Sequence, residues 1–187
     1  AASVGAAIPP MIEPSTAITS PTGGATTLNS LAHNSARGIA SRSACGTGGT
    51  LSGTGKFLKE QNPAIRIVGA DPQGSILAEM WRTKGQGHPT GAPYKVEGIG
   101  QDCVPKTLDM SVLDDFRTVN DKDALNTARR FTREEGLFIG GSAGLIAHAA
   151  LELARELDDP NAFVVTFLCD TGERYLCTMY TAEWRGE

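Results

Sequence analysis

The sequence predicts an α/β fold with a parallel sheet flanked by helices, and three observations carry that reading. Helix-like and strand-like segments alternate from Cys45 onward. Two continuous apolar runs, around Ile65–Ala70 and Ala162–Leu168, have the character of strands covered on both faces. Between them, 143–157 reads as a helix that is apolar nearly all round, so it must be buried against a sheet.

Taken in chain order, Ala1 to about Ala44 is rich in Ala, Ser, Thr, Pro and Gly, has no lysine, and carries only Glu13, Arg37 and Arg42 as charges. Few large apolar groups offset the ordering cost, so 1–44 is expected to be a disordered or aberrant low-complexity leader, with the folded domain at 45–187. A transit peptide is the other reading, from the Ser-rich, acid-poor composition, although no amphipathic spacing is evident. Ala40-Ser-Arg-Ser-Ala44 is expected to be too polar for a buried parallel strand.

From Thr50 to Gln61 the pattern fits a helix stopped by Asn62 and Pro63. The strand Ile65–Ala70 follows and ends at Asp71 and Pro72. An irregular stretch with Gly and Pro leads to Asn120 or Asp121, either of which caps a helix whose Ala124, Leu125, Ala128 and Phe131 share one face. Gly136 ends that helix, 143–157 forms the next, and Ala162–Leu168 is expected as the central strand.

Composition bounds the function. The chain has 187 residues, 40% apolar, with 17 basic and 21 acidic side chains and a net charge of −4. No apolar run is long enough to cross a bilayer, and no basic stripe exists to neutralise a phosphate backbone. Membrane and nucleic-acid partners are therefore not expected. Cys45, Cys103, Cys169 and Cys177 show no C-x-x-C spacing and, with three separated histidines, no zinc pattern, so no metal is expected. A reducing, cytoplasmic location fits best.

Two glycine-rich segments carry chemistry. Gly46-Thr-Gly-Gly-Thr50 stands before a helix, where glycines admit close approach of backbone N–H groups, Thr47 and Thr50 add hydroxyl donors, and the helix start is positive. A loose turn is the plainer reading of the same residues. A Walker loop is excluded because Thr50 stands where a glycine is needed and Phe57 follows Lys56. A dinucleotide fingerprint is excluded by Leu51 in place of the third glycine, which makes Asp71 a decoy for the ribose-binding acid. Gly140-Gly-Ser-Ala-Gly144 is the second segment, in which Ser142 read alone is an ordinary helix N-cap.

Five blocks occur in order: Gly46-Thr-Gly-Gly-Thr-Leu-Ser-Gly53, Val68-Gly-Ala-Asp-Pro-Gln-Gly-Ser-Ile-Leu77, Tyr94-Lys-Val-Glu-Gly-Ile-Gly100, Glu135-Gly-Leu-Phe-Ile-Gly-Gly-Ser-Ala-Gly144 and Asp170-Thr-Gly-Glu-Arg-Tyr175. Together they resemble the cystathionine β-synthase and cysteine synthase family of fold-type II pyridoxal-phosphate enzymes, and here the C-terminal part of the large domain. The resemblance implies pyridoxal phosphate as cofactor, with its phosphate at Gly46, Thr47, Gly48, Gly49 and Thr50 and its pyridine nitrogen facing Ser142. Glu97 and Gly98 match a loop beside the active site, and Asp170 and Thr171 lie at the strand end where such sites form.

The resemblance also implies β-replacement: serine and homocysteine joined to cystathionine, or O-acetylserine and sulfide joined to cysteine, by an enzyme that is a homodimer in the family. The Asp71–Asp109 tract is more like the cystathionine-forming branch. Schiff-base lysine and substrate-loop motifs lie far upstream of the phosphate loop in the family, and neither is present in this chain. Lys56, Lys59, Lys84, Lys95, Lys106 and Lys122 all follow the loop and do not match. The expectation is therefore an incomplete, truncated or frame-shifted chain, inactive alone, with a noncatalytic pseudoenzyme or partner subunit as the alternative. A nucleotide-binding module is the third reading.

Overall fold

The computed structural model describes the backbone of 16–19 and 39–44 and all of 46–182. Five strands form one sheet: β1 (Thr16–Thr19), β2 (Ile39–Ala44), β3 (Arg66–Pro72), β4 (Asp115–Val119) and β5 (Phe163–Phe167). Their order is β1-β5-β2-β3-β4, and every pairing is parallel. Parallel neighbours need crossovers, which the helices supply: α1 (Gly49–Gln61) leads from β2 to β3, and α2 (Leu77–Arg82) precedes β4. After β4 come α3 (Asp121–Arg130), extended by a π-helical turn at Phe131–Glu135, and α4 (Gly141–Leu157).

Both faces of the sheet are covered. Ile67, Phe116 and Val165 pack with Leu51 and Leu58 of α1 and Leu77 of α2, while Ala70 and Val119 pack with α3 and α4. Val68 meets Leu153 of α4. Adjacent residues of β3 thus point to opposite layers, and the strand is buried on both sides from Ile67 to Pro72.

Local signals explain the helix limits. Asn120 caps α3 by accepting a hydrogen bond from the Asp123 N–H (2.9 Å), with Asp121 and Asp123 in the first turn and Arg129 and Arg130 in the last, matching the helix dipole at both ends. Gly136, at φ +70°, closes the π turn, as the sequence led one to expect.

The sequence expectations need four corrections. Residues 39–44 form a strand paired on both sides, although their composition argued against it: the ladder is made by backbone groups, which Ala and Ser supply as well as Val. The expectation of irregular chain is thereby corrected for 16–19 and 39–44; the remainder of 1–44 lies outside the described residues. Third, β5 lies second in the sheet and β2 holds the centre. Finally, β4 and α2 fall in the stretch read as irregular.

Because all five strands run the same way, the ends of β2, β3 and β5 share one edge of the sheet. The segments that leave that edge are the Gly46–Gly48 turn, Asp71–Ser75 and Leu168–Thr171. Two of them carry the candidate site.

Candidate functional site

The turn after β2 is shaped by glycine. Gly48 has φ +82°, and a Cβ there would lie 2.6 Å from the Leu108 Cβ, so no other residue fits without displacing the neighbouring chain. That neighbour is itself pinned: the Thr107 hydroxyl donates to the Thr47 carbonyl, and the Asp109 N–H donates to Ser52 Oγ (2.8 Å). The first intrahelical bond of α1 is Ser52 N–H to Gly48 O (2.9 Å), which leaves the N–H groups of Gly49, Thr50 and Leu51 without intrahelical acceptors. Among the described residues no side chain caps them, and no acidic residue stands in the first turn. Space lies in front of Gly49, where an added Cβ meets nothing within 4 Å. An uncapped, uncompensated helix start with exposed Thr47 and Thr50 beside it is suited to an anion such as a phosphate.

The turn after β5 meets the start of α4. Gly140 is the N-cap and makes no side-chain cap bond; Ser142 lies inside the first turn, only 5% exposed, with its Oγ 3.2 Å from Cys169 Sγ. The plain N-cap reading of Ser142 is thus corrected, because capping comes from another segment. Asp170 Oδ1 accepts the Ala143 N–H (2.9 Å), and its backbone carbonyl accepts the Gly140 N–H (3.3 Å). Its Oδ2 accepts from the Tyr175 hydroxyl (2.9 Å). Burial, then the bond to Asp170, pushes the Tyr175 phenol well above its ordinary pKa, so it stays a donor. Burial likewise raises the Cys169 thiol above its ordinary value, and Ser142 only partly offsets this.

A third segment straps these two turns. Val96 and Ile99 are buried anchors, the Lys95 and Val96 N–H groups donate to Asp121, and the exposed Glu97 and Gly98 project between them. Gly98 (φ +77°) brings its carbonyl 3.0 Å from where a Gly46 Cβ would stand, so the strap touches the Gly46 turn. On its other side, Lys95 and Glu97 line a shallow cleft with Leu125, Gly141, Tyr175 and Thr178. The fold therefore gathers Gly46–Thr50, Glu97, Gly98, Ser142 and Asp170 at one edge. Thr171 joins only through a backbone bridge to Ile139, its side chain being exposed.

Two residues of this edge were given no role by the sequence reading. Cys169 and Tyr175 lay inside or beside a recognised block but had no spacing signal of their own. Asp71 is fully buried at the end of β3, where Oδ2 accepts the Ala78 N–H (3.1 Å) and Oδ1 has no partner. Closed off in this way, it faces no ribose, and burial raises its pKa to about 6.

A doubly covered parallel sheet with an anion-suited glycine turn at its carboxyl edge defines a phosphate-cofactor class of α/β domain. The chain belongs to the family described as "Pyridoxal-phosphate dependent enzyme", whose profile matches residues 42–170. Pyridoxal phosphate is the cofactor of that family. Among relatives, cystathionine beta-synthase of Apis mellifera is 40% identical over 139 residues, covering 74% of this chain and 27% of the relative. The Saccharomyces cerevisiae protein of the same name is 41% identical over 142 residues, with coverage of 74% and 27%. The Mus musculus protein is 41% identical over 139 residues, with coverage of 74% and 24%. The crystal structure of an O-acetylserine dependent cystathionine beta-synthase from Helicobacter pylori superposes with a TM-score of 0.68 at 30% identity, covering 83% of this chain and 48% of that one. The chain thus spans about a quarter of the length of these curated relatives.

Proposed function

We propose that this chain supplies the cofactor-gripping half of a β-replacement enzyme of the cystathionine β-synthase kind. The observation that carries the reading is the convergence, at one sheet edge, of an uncapped glycine turn after β2 and an uncharged serine in the first turn of α4. Gly46–Thr50 would hold the cofactor phosphate through backbone N–H groups and the two threonine hydroxyls, each charge-assisted bond contributing about 1.5–3 kcal/mol. Ser142 would meet the pyridine nitrogen. When bound, pyridoxal phosphate supplies the electron sink that lets an amino acid lose its β-substituent. Ser142 tunes that sink: a neutral hydroxyl, unlike a carboxylate, need not hold the ring nitrogen protonated, which suits β-elimination and re-addition better than a long-lived carbanion. Asp170, the neighbouring carboxylate, is turned to other work, its two oxygens accepting from the Ala143 N–H and the Tyr175 hydroxyl.

The remaining residues bind and exclude. Glu97 and Gly98 sit on a strap between the two turns, placed to close over a bound amino acid and shed water. None of the six lysines matches the family's cofactor-linked lysine, so this half grips the cofactor without a covalent bond. The relatives named as cystathionine synthases favour homocysteine as the thiol, and the O-acetylserine dependence in the name of the Helicobacter pylori protein favours an activated serine as second reading for the donor. The test compares kcat/KM for serine or O-acetylserine with homocysteine against O-acetylserine with sulfide, using the purified protein that carries this chain. Preference for homocysteine is the expected result; preference for sulfide would reassign it as a cysteine synthase.

A further inference from the structure

Ser142 is 5% exposed and, having no capping role, has Cys169 as its side-chain partner, at 3.2 Å. A hydroxyl has one proton and two acceptor lone pairs, so its direction is set by what its neighbour offers. Cys169 comes from a different segment, the turn after β5, and its position is fixed because Asp170, the next residue, is tied to Gly140, Ala143 and Tyr175. Two independent parts of the fold therefore bring a thiol and a hydroxyl together at the place where the glycine turn of β2 and the start of α4 converge. A neutral S–H is a weak donor; a thiolate is only an acceptor and would draw the Ser142 proton to itself.

We propose that Cys169 is a positioning residue of the cofactor site: as a neutral thiol it donates to Ser142 Oγ, and so turns the Ser142 O–H toward the cofactor's ring nitrogen. No bond is made or broken and no proton changes owner. This rests on the assignment of Ser142 to the ring nitrogen made above. The raised pKa of the thiol is consistent with it: Cys169 is exposed as a residue, but partial desolvation of its sulfur keeps the thiol protonated at neutral pH. It also follows that Cys169 lies at the edge of the bound ring, where the cofactor shields it.

The test uses the purified full chain and pyridoxal phosphate itself. Equilibrium dialysis first reads whether the cofactor is retained. Iodoacetamide labelling resolved by peptide mass spectrometry then compares Cys169 with Cys103, which is also exposed and serves as internal reference. Cofactor is expected to slow labelling of Cys169 by about tenfold or more, as covering an accessible thiol with a ligand should, and to leave Cys103 unchanged. With ¹⁵N-labelled cofactor, Cys169→Ala is expected to shift the ring-nitrogen resonance and weaken binding about fivefold, the loss of one ordinary hydrogen bond; Cys169→Ser, which keeps a donor, should restore both. Cofactor that is not retained would overturn the phosphate-site reading and this one with it. Cofactor that is retained while Cys169 labels at its free rate, or a ring nitrogen indifferent to Cys169→Ala, would overturn the Cys169 role alone.

Discussion

Asp71 holds a carboxyl group away from water at the end of β3, with one oxygen bonded to the Ala78 N–H and the other unpaired. Burial is the dominant cause of its rise from 3.8 to about 6, outweighing the lowering by Ser75, Ala78 and Arg82. A raised folded-state value means that the native state binds the proton more tightly than the unfolded chain. The associated stability is complete below about pH 4 and is lost as pH rises through 6, a swing of about 2–3 kcal/mol. Asp71→Asn, which cannot ionise, is expected to remove that swing: urea unfolding at pH 4.5 and 7.5 should show wild-type stability falling relative to the variant at the higher pH. Superimposable pH slopes would contradict the assignment. The same residue shows what sequence hides. Leu51 in place of the third glycine already excluded a ribose-binding role for it, but its structural role appears only in the closure of the Pro72–Ile76 turn around it. Ser142 was legible as a helix-start residue, but the transfer of capping to Asp170 depends on a contact between segments 27 residues apart.

At the scale of elements, the crossing of α3 and α4 is set by Gly144. A Cβ there would stand 2.4 Å from the Ala124 carbonyl oxygen and 2.7 Å from the Ala128 Cβ, both on α3. Alanine is the better helix former by about 1 kcal/mol, whereas overlap with a backbone carbonyl is relieved only by moving a helix, at about 1–3 kcal/mol or more. The overlap wins, and Gly144→Ala is expected to destabilise the protein by about 2 kcal/mol, read as a lower urea midpoint with an unchanged slope. A more stable variant would show that the helices are free to separate. Elements with strong periodicity or caps, α1, α3 and α4, were legible in the sequence within one or two residues. Two others were not, for physical reasons: α2 has only six residues, too few to display a helical face, and β4 buries only Phe116 and Val119 of its five. For β2 the polar run misled because strand position was decided by backbone pairing.

On the scale of the whole molecule, parallel topology does the gathering: strands β2 and β5 are neighbours, so the turns that leave them meet at one edge, although 120 residues separate them in sequence. The family resemblance placed both turns in one site from motif order alone; the sheet order supplies the reason. The central claim, that the Gly46–Thr50 turn takes the cofactor phosphate, is tested most directly by Gly49→Asp. Position 49 opens on empty space at the first residue of α1, so the new side chain meets no clash, and a carboxylate at a helix start favours the helix by about 0.3–1 kcal/mol. It also puts negative charge where the phosphate would sit. The measurement is the Kd of pyridoxal phosphate, with pyridoxal, which lacks the phosphate, as control, alongside the unfolding midpoint. The account predicts an unchanged or higher midpoint, affinity for pyridoxal phosphate lower by about tenfold or more, and no change for pyridoxal. A Gly49→Asp protein that is folded and binds pyridoxal phosphate as tightly as the parent would contradict it.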